Sequence, residues 1–117
     1  MSRKKKPSNP SDPESGPRAP KPARVGHHNV YVVFLRNPKG DGKAAYYVGM
    51  TGLSPEQRLQ NHKNGVKAAG VVKKYGERLV PKLYAHLNPM PYDRAKDMEV
   101  FLADSLRKRG YVVFGGH

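Results

Sequence analysis

Two β-branched and aromatic runs, NVYVVFLR from Asn29 and AAYYVGM from Ala44, stand on either side of a turn-rich segment ending in GDGK. Side chains of this kind suit a pleated, half-buried surface, and Asn37-Pro38 with Gly40-Asp41-Gly42 supply turn chemistry between them. An antiparallel hairpin with a long, irregular connection is expected, which sets Tyr31 and Tyr47 on neighbouring backbones. Alternation along the second strand puts Tyr47 and Gly49 on one face and Tyr46 and Val48 on the other.

The second run leads directly into a helix start. Ser54 is placed as N-cap, Pro55 at the first helical position and Gln57 to complete a capping box, with the helix ending near Gly65. A second helix is expected over Val66 to Tyr75, closed by Gly76. ERLVPKLYAHL reads as an extended connection or a short strand, since Pro81 argues against a central strand. The last helix is expected from Tyr92 to Arg109, with Asp93 near its start, Lys108 and Arg109 near its end and Gly110 beyond it. YVVF then supplies a final strand. The expected fold class is α+β: a small mixed, mainly antiparallel three-stranded sheet with helices packed against it, over residues 27–117.

Residues 1–24 differ in kind. They hold six of the eleven prolines, no aromatic residue, seven basic side chains and two acidic ones, a composition that points to disorder. This tail reads either as a solubilising segment or as an arm that grips nucleic acid. The whole chain carries 22 Lys plus Arg against 9 Asp plus Glu, a formal net charge of +13, so polyanions come first among partners. The absence of cysteine removes disulfides, thiolate metal sites and thiol nucleophiles together. No apolar run is long enough to span a bilayer or to serve as a secretory signal, and an intracellular, cytoplasmic protein without a membrane partner is the default.

Several side chains stand out as chemistry. At about 100° per residue, Ala95, Met98, Leu102 and Leu106 share a stripe of the last helix, and Glu99 falls on it. A carboxylate facing a core must be paired, hydrogen-bonded, metal-bound or protonated. It is read either as a rim residue paired with an arginine or as an oxygen ligand for a hard divalent cation. Arg58 and His62, at i and i+4, share one face of the first helix, either as a solvated face or as a site beside the strand end at Tyr47-Val48-Gly49. Gly49 there would admit another backbone or a ligand. Each tyrosine taken singly reads as packing; two of them converging with Arg, His and Glu would hold the parts needed to hydrolyse a phosphodiester.

In the order of these residues the chain resembles the GIY-YIG nuclease superfamily, over Asn29 to Gly110. Val30-Tyr31-Val32 stands at the place of GIY and Tyr47-Val48-Gly49 at that of YIG, followed by Met50-Thr51, the helix with Arg58 and His62, and Glu99 in the long last helix. The triplets differ from the family's at flanking positions. Many members carry an asparagine near the domain's end, where YVVFGGH leaves His117 as the only polar side chain. The resemblance implies Tyr31 as general base or relay, Tyr47 positioning water and phosphate, and Arg58 stabilising charge on the phosphate. It further implies that His62 assists this network and that Glu99 ligates one Mg²⁺ or Mn²⁺.

The expected function is therefore a metal-dependent endonuclease cleaving DNA by a single-metal mechanism. Its rival is a non-catalytic nucleic-acid-binding module of the same fold. Lys63, Lys67, Lys73 and Lys74 are expected either to contact the nucleic-acid backbone or to form a solvated basic face.

Overall fold

A computed structural model describes residues 26–116; the expectations for the tail and for His117 lie outside the described residues. The chain runs β1 (Asn29–Leu35), β2 (Ala45–Thr51), α1 (Pro55–Lys63), α2 (Gly70–Tyr75), β3 (Gly76–Leu79), two 3₁₀ turns (Pro81–Leu83 and Ala85–Leu87), α3 (Tyr92–Lys108) and β4 (Val112–Gly115). The strands form one four-stranded mixed sheet in the order β3-β1-β2-β4. This corrects the expected three strands. ERL does pair with β1, antiparallel, through Val33↔Leu79 and Phe34↔Arg78, and it stops before Pro81, which opens a 3₁₀ turn because proline has no N–H to give a ladder.

β1 is one of the two inner strands. Val30, Tyr31, Val32, Val33 and Leu35 are all buried, so both of its faces are covered. Burial of each such side chain contributes roughly 1.5–3 kcal/mol relative to exposure, which fixes the strand and its register. The hairpin with β2 pairs Tyr31 with Gly49, Val33 with Tyr47 and Leu35 with Ala45. Its connection is shaped by Asn37 (φ 48°), whose Oδ1 accepts from the Gly42 N–H at 2.6 Å. β3 covers only one end of the outer edge of β1. At the other end the Asn88 amide stands in for a strand: its Oδ1 accepts from the Val30 N–H (2.9 Å) and its Nδ2 donates to the Val30 carbonyl (2.8 Å). His28 and Met90 add a bridge beside it, so this edge is closed to further pairing.

α1 begins as expected, with Pro55 in its first turn and Ser54 Oγ accepting from the Gln57 N–H at 3.1 Å. Only half of the capping box forms, since the Gln57 side chain donates forward to Asn61 Oδ1. The helix ends at Lys63, just before Gly65 at φ +81°. α2 starts at Gly70 and not at Val66. Lys67 takes a left-handed backbone (φ 48°), and the carbonyls of Val66 and Lys67 accept from Arg58, so they are turned away from any helical ladder. α3 ends one residue earlier than expected, with Arg107 and Lys108 in its last turn and Gly110 at φ +94°. It packs against β1, β2 and β4, burying Ala95, Glu99, Leu102, Ala103 and Leu106, with Met98 half-buried. β4 runs parallel to β2, and Arg107 of α3 donates to the Val113 and Gly115 carbonyls of that strand.

Candidate active site

Residues on β1, β2, α1 and α3 meet at one place. Because Tyr31 pairs with Gly49 and Val33 with Tyr47, Tyr31 and Tyr47 are diagonal neighbours on the same face of the sheet. Their ring centroids are 6.2 Å apart. α1 delivers the His62 ring against both, 6.1 Å from Tyr31 and 5.7 Å from Tyr47. Gly49 is what makes room. A Cβ there would lie 2.6 Å from Tyr31 Oη and 2.7 Å from its Cζ, so the space expected for a ligand or a backbone is filled by the chain's own phenol.

His62 is the best-determined group of the cluster. The Ala69 N–H donates to His62 Nδ1 at 3.0 Å, so that nitrogen carries no proton. The neutral ring then bears its hydrogen on Nε2, which lies 2.9 Å from Tyr31 Oη and donates to it. Burial, and secondarily the Arg58 charge, push the His62 pKa down to about 4, which keeps the ring in this neutral form. His62 is fully buried and engaged at both nitrogens, and its side-chain hydrogen bond into the cluster is the one to Tyr31.

Donation from His62 leaves the Tyr31 hydroxyl hydrogen free to point into the cluster. Burial raises the Tyr31 pKa first, Tyr47 and Glu99 raise it further, and the adjacent Arg58 guanidinium partly opposes them. Tyr47 is raised by burial and then by Glu99, with Arg58 and a hydrogen bond to the Tyr31 side chain opposing. Both phenols therefore hold their protons at neutral pH. Arg58 and Glu99 thus bear on the electrostatics of both phenols, in opposite senses.

Arg58 is oriented from behind, as Nη1 donates to the Val66 carbonyl (3.2 Å) and Nη2 to the Lys67 carbonyl (2.9 Å). A guanidinium has five N–H donors in a planar fork, so donors remain for an anion. Arg58 and Tyr47 are half-exposed, whereas Tyr31, His62 and Glu99 are buried; the reachable rim of the cluster is thus a cation and a phenol. Glu99 offers one carboxylate to a cation. Among the described residues no three His, Asp or Glu side chains gather as a metal cage.

Lys63, Lys67, Lys73 and Lys74 are all exposed, and they lie on the end of α1, the turn after it and α2, the same segment that anchors Arg58. Three contributors escaped the sequence reading: the Ala69 N–H that sets the His62 tautomer, and the Val66 and Lys67 carbonyls that hold Arg58. Backbone groups carry no residue-type signal, and only the turn chemistry around Gly65 marked this segment. Comparison with protein-family models, curated proteins and solved structures finds no match.

Proposed function

We propose that this protein is a metal-dependent endonuclease of the GIY-YIG type, hydrolysing DNA phosphodiester bonds with one divalent cation, Mg²⁺ or Mn²⁺. The observation that carries the reading is the convergence of Tyr31, Tyr47, Arg58 and Glu99, from four separate elements, around a histidine whose tautomer is fixed. The α+β architecture and the positive charge of the chain agree with it.

In this mechanism the Arg58 fork binds the non-bridging oxygens of the scissile phosphate and stabilises the charge that gathers there in the transition state. Tyr47, at the rim, orients the phosphate and the attacking water. Glu99 holds the cation, which when bound supplies Lewis acidity toward the phosphate. Tyr31 serves as a proton relay in preference to a standing phenolate: its oxygen takes a proton from the water as its own hydrogen passes toward Tyr47 and solvent. His62 donates to Tyr31 Oη throughout, so it steadies negative charge on that oxygen without accepting a proton. The water oxygen bonds to phosphorus, the P–O bond to the leaving oxygen breaks, and that oxygen is protonated from solvent.

A second reading, a non-catalytic nucleic-acid-binding module, draws on the burial of Tyr31 and His62, which leaves little of the cluster open to a ligand. Supercoiled plasmid incubated with the protein, with Mg²⁺ or Mn²⁺ and with a chelator, separates the two. Nicking that appears with the ion and disappears with the chelator is the expected result. Retention of the plasmid on the protein with no nicking under any condition favours the binding module.

A further inference from the structure

The opposite face of the sheet carries a second arrangement of aromatic and basic side chains that the catalytic reading leaves unused. Phe34 and Tyr46 are cross-strand partners and alternate with Val33 and Tyr47, so they project away from the cluster above. Their rings meet edge to face at 6.2 Å, and the Tyr46 ring meets Tyr111 in the same way at 5.1 Å. At the other end, Arg78 of β3 lays its guanidinium over Phe34, with Cζ 4.5 Å from the ring centroid. A continuous row, Arg78–Phe34–Tyr46–Tyr111, thus crosses the whole sheet in strand order from β3 to the start of β4.

The row is open to solvent. Tyr111 is 43% exposed, Arg78 is exposed, and Phe34 and Tyr46 are half-buried, whereas Val30, Val32 and Val48 on the same face are fully covered. An open cleft of about 600 Å³ adjoins the row, lined by Phe34, Arg36, Lys43, Glu77 and Arg78 among others. Arg36 is paired with Glu77, which leaves the charges of Lys43 and Arg78 to make the cleft positive. Planar aromatic and guanidinium surfaces in a row, beside an excess of positive charge, match the two needs of an unpaired polynucleotide: faces for its bases and cations for its phosphates. A duplex, whose base faces are hidden in the stack, has no use for such a row.

We propose that this face is a platform for single-stranded DNA, with bases stacking on Tyr111, Tyr46 and the Phe34–Arg78 pair and with phosphates running past Lys43. The inference rests on nucleic acid being the partner of this protein, and not on cleavage. An endonuclease built this way would engage junctions where duplex gives way to single strand, with the scissile duplex on one face and the unpaired strand on the other.

The test is binding of a labelled oligodeoxythymidylate of about 16 nucleotides, a length one small domain can cover, to the full chain and its variants. Removal of the exposed ends of the row, in the Arg78→Ala Tyr111→Ala double variant, should weaken binding about tenfold or more, while Tyr111→Phe, which keeps the ring, should bind as the parent does. Circular dichroism of the double variant should match that of the parent, which separates loss of the row from loss of the fold. A parent that fails to bind the oligonucleotide, or a double variant that binds as tightly as the parent, overturns the platform. Failure of the parent to nick plasmid, with single-strand binding intact and sensitive to these substitutions, instead sinks the active-site reading and leaves the platform standing.

Discussion

Gly49 and His62 show how far single residues determine the cluster. A methyl group at position 49 would sit inside contact distance of a buried phenol, and Tyr31 could yield only by moving its hydroxyl away from His62. Gly49→Ala is expected to destabilise the fold by about 1–3 kcal/mol, the usual cost of overpacking, and to break the Tyr31–His62 hydrogen bond. Chemical denaturation measures the first effect; an unchanged midpoint would show that Tyr31 is not held where it is described. His62 gives a pH signature. Its folded pKa is lowered to about 4 from the ordinary 6.5, so the unfolded chain takes up the proton first as the solution is acidified. The stability it supports is complete above about pH 6.5 and drains away as the pH falls toward about 4. Across that window the parent should lose on the order of 3 kcal/mol more than His62→Gln does, and equal losses in the two proteins would contradict a buried neutral histidine. In the sequence, Glu99 stood out by its place on an apolar stripe, Arg58 and His62 by their i, i+4 spacing, and Tyr31 and Tyr47 by their order relative to these three. The true use of Gly49 did not stand out, because its neighbour is a tyrosine from a different strand and the contact depends on register.

At the scale of elements, β1, β2, α1 and α3 follow from strong local signals: β-branched runs, a Ser-Pro helix start and a long amphipathic stripe ended by glycine. β3 and the start of α2 depend on tertiary partners instead. Four residues of β3 gain a ladder only because β1 offers an edge, and Val66 to Ala69 stay out of α2 because Arg58 and His62 take their backbone groups. The parallel β2·β4 pair was equally out of reach, as nothing in a four-residue apolar strand states which edge it joins. The turn between α1 and α2 is thus held by α1. Arg58→Ala is expected to speed hydrogen exchange at the Ala69 amide, and Arg58→Lys is expected to do the same, since an ammonium lacks the planar fork that spans two carbonyls. Unaltered protection of that amide in both variants would show that the turn is set by its own sequence.

Over the whole molecule, the sheet separates two chemistries. One face gathers phenols, a fixed histidine, a guanidinium and a carboxylate; the other presents rings and cations in a row. Positive charge is shared between the domain and residues 1–24, which carry seven basic and two acidic side chains. Each phosphate neutralised by a protein cation contributes to the salt dependence of binding. Deletion of residues 1–24 is therefore expected to flatten the dependence of DNA affinity on salt concentration, and an identical slope before and after deletion would make the segment a solubilising one. No helix among the described residues is long and apolar enough to cross a membrane. Among all these expectations, the claim that Arg58 and Glu99 form one catalytic centre is tested most directly by the rate of supercoiled-plasmid nicking in Mg²⁺ or Mn²⁺. Loss of one group that stabilises transition-state charge costs about 10²–10³ in rate, so Arg58→Ala and Glu99→Ala should each fall at least that far below the parent while remaining folded. Nicking that persists in both variants at the parent's rate would contradict the assignment.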